Sequence, residues 1–249
     1  MVQFAAVLET ETTRQSLIDI DRELMRNLIL KTLLLILIFT PSMLIAEQTP
    51  KAFFDQRLNE VFSKLRENPE NYKNLDTLVP LAEEYILNHW DIDATLLAMI
   101  GRTHWESIAS NDKVALNQAF RTTMLRYFLE AYSYYDGQPV ELTDVSLNKA
   151  EDKGWLRINI VLDYAPDIPV DISIAKKDGQ WLFRDIRFQG IRYTYMKRDF
   201  YQGTIEDKGV SGLIDSLNQK NLHFFQVLEQ ATAANRAAEA HSAIISSSK

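Results

Sequence analysis

The stretch that decides the fold is Gly190 to Leu217, GIRYTYMKRDFYQGTIEDKGVSGLIDSL. It follows a strand-like run, Trp181 to Phe188, and its first residue tolerates the backbone angles that a strand-to-helix turn requires. Six side chains then recur at helical spacing: Ile191, Thr194, Tyr195, Arg198, Tyr201 and Ile205. Gly209 predicts the C-terminus of this helix, and Ser211 or Gly212 begins a second, short one. The pattern alone predicts a strand–helix–helix packing unit.

Upstream of this stretch the hydrophobic pattern has a period of two. Apolar residues occupy every second position of Leu156 to Tyr164 and of Ile168 to Ile174, which is typical of half-buried strands. Asp178-Gly179 predicts a hairpin turn before a third strand, Gln180 to Phe188, and Val140 to Leu147 is a weaker fourth. We therefore expect a curved antiparallel sheet of about four strands with one apolar face.

The sequence before the sheet, 47–137, has helical periodicity. Asn68-Pro69 ends the first predicted helix, and Asp91 or Asp93 can cap a later one. The longest predicted helix runs to about Tyr135. Because helices precede and follow a sheet with one apolar face, the predicted fold class is α+β.

The chain is predicted to divide into three parts. They are an upstream segment with a signal (1–46), one domain (47–222) and a helical or disordered tail (223–249). Within the domain, 47–137 is the helical part, 138–190 the sheet and 191–222 the closing helices.

A short apolar run, Thr32 to Ala46, lies near the N-terminus. Its fifteen residues include Pro41 and fall short of the roughly 20 that a membrane-spanning helix needs. The run predicts an export signal that is cleaved near Ala46, and an uncleaved N-terminal anchor is the alternative. The start of translation stays open between Met1 and Met25.

Composition and charge exclude several classes of function. The net charge of −7 and the pI near 5.2 argue against nucleic-acid binding, because phosphates require a basic surface. Without cysteine, the chain has no disulfide, thiol nucleophile or thiolate metal site. Its four histidines lack the spacing of a metal-binding motif. We therefore expect neither a metal nor another cofactor.

One carboxylate is a candidate for catalysis. Asp185 could act as a general base, as happens in small cone-shaped α+β enzymes. Its structural alternative is a hydrogen-bonded residue that caps the turn at Gly190. The sequence contains no glycine-flanked serine elbow that would support an enzyme of another type.

Two groups of residues resemble a known family. The C-terminal group is Asp185, Gly190-Ile191, Tyr201, Gly203-Thr204, Lys208-Gly209 and Gly212-Leu213. The earlier group is Gly101, Trp105, Phe120-Arg121, Tyr135 and Gly137-Gln138. Their order and spacing, over roughly Lys51 to Asn221, resemble the MlaC-type, toluene-tolerance family. Arg192 departs from the pattern, since the family usually has a small hydroxyl residue two positions after the glycine.

The resemblance implies a periplasmic phospholipid carrier in the system that maintains outer-membrane lipid asymmetry. The implied partners are an outer-membrane lipoprotein complex and an inner-membrane ABC transporter with a lipid-binding hexameric subunit. Exposing about 28 methylene groups at about 0.8 kcal/mol each would cost roughly 20 kcal/mol, so a lipid needs a carrier to cross water. We expect a monomer and no enzymatic activity.

Under this hypothesis an apolar cavity lies between the sheet and the helices. The predicted tail contacts are Phe120, Met124 and Phe128 on the long helix and Ile158, Ile160, Ile172 and Ile174 on the sheet. Ile191 and Tyr195 are predicted to close the mouth. Two alternatives stay open: an enzyme that uses Asp185, and an envelope binding module with a solid core and no lipid.

Overall fold

The computed structural model describes residues 49–247. The predicted signal, its cleavage near Ala46 and the two candidate start residues lie outside these residues. Five helices precede the sheet in the described part: α1 (Pro50–Glu67), α2 (Leu75–Tyr85), α3 (Ile92–Ile100), α4 (Arg102–Ser107) and α5 (Ser110–Tyr132). Short 3-10 turns follow α1 (Pro69–Lys73) and α2 (Leu87–His89).

The caps of these helices follow local sequence signals. Helix α1 ends at Glu67, directly before Asn68-Pro69, as predicted. Asp91 is the N-cap of α3, and its carboxylate accepts from the Ala94 amide at 3.2 Å. The same helix ends at Gly101, whose φ of 87° suits glycine.

The sheet is an antiparallel meander in which every strand pairs with its neighbour in sequence. Its strands are β1 (Val140–Leu147), β2 (Lys153–Ile160), β3 (Ile168–Lys177), β4 (Gln180–Phe188) and β5 (Ile191–Arg192). The first four are the predicted strands, and the two-residue β5 is an addition that periodicity cannot reveal. Helices before and after an antiparallel sheet confirm the α+β class.

A bulge in β4 joins the sheet to the helices. Pairing shifts between Ser173 and Ile174 of β3, which leaves Arg184 of β4 as the extra residue. The Arg184 guanidinium lies 2.8 Å from a carboxylate oxygen of Asp91, and the Asp91 amide donates to the Phe183 carbonyl at 2.8 Å. The start of α3 is therefore fixed to the middle of β4.

The last helix, α6 (Tyr193–Ser247), is interrupted at Gly209, where φ is 70° and ψ is 179°. The predicted helix end at this glycine is therefore confirmed. A second helix follows the interruption, as predicted, but it is longer than predicted, since helical backbone continues to Ser247. It continues past residue 222 because Phe224, Phe225 and Leu228 pack against the helical cluster of α1, α2 and α5.

The core has a solid part and an open part. Helices α3, α5 and α6 form the solid part, in which six side chains have no exposed surface: Leu96, Met99, Ile100, Leu116, Phe120 and Leu213. A second cluster, Phe54, Leu142, Leu156 and Ile174, lies between α1 and the sheet. Within the described residues, no helix is long and apolar enough to cross a membrane.

Candidate functional site

An apolar cavity of about 460 Å³ lies between α1, the C-terminal end of α5 and the inner face of the sheet. Helix α1 contributes Phe54, Leu58, Val61, Phe62 and Leu65. The sheet contributes Val140, Leu142, Leu156, Ile158, Ile160, Ile168, Ile172, Phe183 and Ile186. Its volume is within the range of small-molecule sites, and its walls offer few hydrogen-bonding groups.

Helix α1 is placed over the sheet by its N-terminal turn. The Thr49 hydroxyl accepts from the Ala52 amide at 3.3 Å, and Pro50 occupies the first helical position. The Phe54 ring packs 5.9 Å from the Trp181 ring and 6.2 Å from the Phe183 ring, centroid to centroid. This anchor leaves the next turns of α1 facing the cavity.

The β4 bulge shapes the cavity wall. Without an extra residue, positions three apart on a strand would lie on opposite faces of the sheet. Because Arg184 is inserted, Phe183 and Ile186 both line the cavity. Asp185 and Arg187 then lie on the opposite face, paired with Ser173 and Asp171.

Tyrosines surround the cavity where α5 ends. Tyr132, Tyr134 and Tyr135 all line it, and Tyr134 is 84% exposed, so this end is the rim. Burial raises the pKa of the Tyr132 and Tyr135 hydroxyls, which keeps both neutral at physiological pH. Tyrosine combines an apolar ring with a polar hydroxyl, which suits a boundary between an apolar cavity and water.

Arg57 is the only charged residue among those described that line the cavity. Its guanidinium contacts the His89 ring and lies 5.5 Å from the Phe53 ring centroid, and it pairs with no carboxylate in residues 49–233. Burial, and then the Arg57 cation, lower the pKa of His89. At neutral pH this site therefore holds one cation beside a neutral imidazole, and it can receive an anion.

The structure brings four of the predicted tail contacts together in the cavity: Phe128, Ile158, Ile160 and Ile172. It places Phe120 in the solid core, where its ring packs 6.3 Å from that of Tyr201. Ile174 is buried in the cluster of Phe54 instead of lining the space.

The other three predicted residues, Met124, Ile191 and Tyr195, do not line the cavity. Met124 packs in the solid core because it lies one helical turn beyond Phe120 on the same face of α5. Ile191 and Tyr195 are 59% and 68% exposed, since the turn at Gly190 directs the start of α6 along the outside of α3. They do not reach the mouth of this cavity.

Sequence analysis missed the contribution of α1. Its apolar residues share one face, so the pattern was visible, yet nothing in it showed that the sheet lies opposite. The rim tyrosines were also missed, because Tyr132 and Tyr135 are spaced like ordinary core positions of a helix that was predicted to run to about Tyr135.

Asp185 has a structural role in this fold. Its Oδ1 accepts from the Thr194 amide at 3.1 Å, and its Oδ2 accepts from the Thr194 hydroxyl and from Arg192 Nε, both at 2.7 Å. The side chain is 1% exposed and does not line the cavity. Arg192, which departs from the family pattern, thus pairs with Asp185, and its guanidinium also lies 5.7 Å from the Trp155 ring.

Comparison with solved structures identifies the fold. The structure of a phospholipid-binding protein from Ralstonia solanacearum, in complex with a phospholipid, matches with a TM-score of 0.62. The match has 18% sequence identity and covers 70% of this chain and 97% of that chain. At this identity the likeness shows a shared fold.

Sequence comparisons identify the family. No curated protein matches the chain. The family model described as MlaC protein matches residues 55–219, which is more than half of the chain and includes the sheet, the turn at Gly190 and all cavity-lining residues except Phe54. The chain therefore belongs to the MlaC family.

Proposed function

We propose that this protein is a periplasmic phospholipid carrier that moves lipid between outer- and inner-membrane components of an ABC transport system. The observation that carries the proposal is the cavity of about 460 Å³ with almost wholly apolar walls. Membership of the MlaC family and the phospholipid bound by the structural neighbour support it.

The apolar walls match the needs of an acyl chain. Each buried methylene group contributes about 0.8 kcal/mol, so transfer from a bilayer into such a cavity costs little, whereas transfer into water is prohibitive. We assign the tail contacts to Phe128, Ile158, Ile160 and Ile172, and add Leu58 and Val61 of α1.

Arg57 is the proposed contact for the lipid phosphate. A guanidinium pairs well with phosphate oxygens, and this one is not engaged by a carboxylate in the described chain. Because His89 stays neutral at pH 7, Arg57 supplies the positive charge alone. The remaining head group would lie toward water, where its polar atoms keep their hydration.

Membership of the MlaC family supports the proposed compartment and partners. The apolar run that ends near Ala46 is consistent with export, and the MlaC-type resemblance implies transfer between an outer-membrane lipoprotein complex and an inner-membrane ABC transporter. Carriage itself requires no nucleophile, metal or cofactor. The carboxylate that would serve an enzyme, Asp185, already has its oxygens hydrogen-bonded.

Filling the cavity tests the proposal. Ile158→Trp and Ile172→Trp each place an indole among the tail contacts. The indole fills space that a tail would occupy, so phospholipid binding should weaken by about fivefold or more. We expect mass spectrometry of organic extracts to show about fivefold less phospholipid per protein, while the circular dichroism spectrum is unchanged. Val114→Trp, at a position that is 69% exposed, is the control. A full phospholipid load in both cavity variants would refute the proposed site.

The same extraction tests the phosphate contact. Arg57→Gln leaves the apolar walls intact and removes a charged hydrogen-bond donor, which we expect to weaken retention by about tenfold. Arg102→Gln, with a side chain that is 79% exposed on α4, is the matched control. Equal retention in wild type and Arg57→Gln would place the phosphate elsewhere.

A further inference from the structure

A second apolar pocket lies beside the first, at the start of α6. We propose that it binds a single-chain amphiphile with an anionic head group, of which a fatty acid is the simplest example. This Lys197 pocket has a volume of about 410 Å³ and ten lining residues, none of them acidic. Nothing in the proposed carrier function assigns it a role.

The walls of the Lys197 pocket are suited to an alkyl chain. Met124 and Trp90, which are 7% and 8% exposed, form its buried part. Its outer part holds three large apolar side chains that are strongly exposed: Phe188 at 46%, Ile191 at 59% and Met196 at 58%. Exposed apolar side chains that line one pocket favour a binding site, because a ligand that covers them removes their apolar surface from water.

Lys197 supplies the charge for the head group. Its ammonium lies 5.8 Å from the ring centroids of both Tyr127 and Tyr193, which hold it at the pocket. It has no carboxylate partner within residues 49–233, and no acidic side chain lines the pocket to repel an anion. A carboxylate or phosphate placed here would gain a charge-assisted hydrogen bond.

The charge of the pocket favours a ligand with one anionic group. Lys197 is the only cation among its ten lining residues, and none of them is acidic. Trp90 and Ile186 line both spaces, so they form a common wall. An alkyl chain bound beside Lys197 would therefore contact two side chains that also line the larger cavity, while its head group pairs with Lys197, which does not line that cavity.

Equilibrium dialysis with radiolabelled palmitate tests this site on protein that retains its phospholipid. We expect palmitate to bind wild type in addition to the phospholipid, and Lys197→Met to weaken palmitate binding by about tenfold while binding of uncharged hexadecanol is unchanged. Met196→Asp, at an exposed position of the rim, should weaken palmitate binding by charge repulsion. Lys113→Met is the matched control, because Lys113 contacts the Trp105 ring outside both pockets.

The larger cavity provides the opposing test. Ile158→Trp should leave palmitate binding intact. If palmitate instead displaces phospholipid and is lost in Ile158→Trp, or if neither Lys197→Met nor Met196→Asp weakens it, the second site is refuted. Phospholipid is counted in the same samples, so a wild type without phospholipid that still binds palmitate through Lys197 would refute only the carrier proposal.

Discussion

The solid core between α3, α5 and α6 and the cavity beneath the sheet are built from the same kinds of side chain. In the solid core, Phe120 is fully buried in one cluster with Tyr201 and Leu213 of a facing helix, and its ring lies 6.3 Å from that of Tyr201. Phe128 lies two turns further along the same helix, where it lines the cavity together with residues of α1 and of the sheet. An apolar residue thus fills a core or lines a cavity according to the element that faces it.

The largest effect should come from truncating one ring on each side of this comparison. Phe120→Ala removes a fully buried ring from close packing and should cost about 3–5 kcal/mol of unfolding free energy. Phe128→Ala enlarges a space that already exists, so the added cavity term is small and the cost should be about 1 kcal/mol. Urea denaturation measures both. Equal losses would mean that the cavity is as tightly packed as the core.

The turn at Gly190 should be important for stability and unimportant for the ligand. Asp185→Asn weakens the hydrogen bonds to Thr194 and the pair with the half-exposed Arg192, at a cost of about 2 kcal/mol. We expect a lower urea midpoint and an unchanged phospholipid load. Asp215→Asn, at an exposed position of α6, is the control. An Asp185→Asn variant with normal stability that loses a catalytic turnover would instead support the enzyme alternative.

A smaller effect on stability should come from the face of the sheet that lies away from the cavity. On the face away from the cavity, Asp171 accepts from Arg157 Nε at 2.7 Å and from Arg187 Nε at 2.9 Å. The hydrogen bond from Arg157 and then that from Arg187 lower the pKa of Asp171, although burial opposes the shift. The carboxylate therefore stabilises the fold above its ordinary pKa of 3.8, and this stabilisation is lost as pH falls through that value toward the lower pKa of the folded state.

The measurement is urea denaturation of wild type and Asp171→Asn across pH. We expect a difference of about 1 kcal/mol at pH 7, because Arg157 is half exposed and its charge is screened. The difference should shrink below about pH 4. A difference that stays constant down to pH 2 would contradict the assignment of the shift to ionised Asp171.

Most of the fold could be predicted because its signals are local. Alternation predicted the four long strands. Asp91 and Gly101 predicted the two ends of α3, and Gly209 predicted the end of the first segment of α6. The bulge at Arg184 was missed because a one-residue insertion scarcely alters an alternating pattern. The strand β5 was missed because two residues are too few to show a period. The length of α6 was missed because Phe224 and Phe225 stabilise it only through contacts with distant helices.

The candidate site was only partly predictable for a related reason. Periodicity identifies the apolar face of an element but not the element that faces it. Ile158 and Ile172 line the cavity, yet Ile174, two residues along the same face, is covered by the Phe54 cluster. Likewise Phe120 and Phe128 share helix α5 but have different neighbours.

The meander has a consequence for how the molecule assembles. Its strands are joined by short connections, whereas the ion pair between Asp91 and Arg184 links residues 93 positions apart. Contacts close in sequence form sooner, since they require less loop closure. We expect the sheet to form first and the helices that cover its inner face to dock last. The apolar inner face of the sheet would then stay accessible to a lipid until the final step of folding.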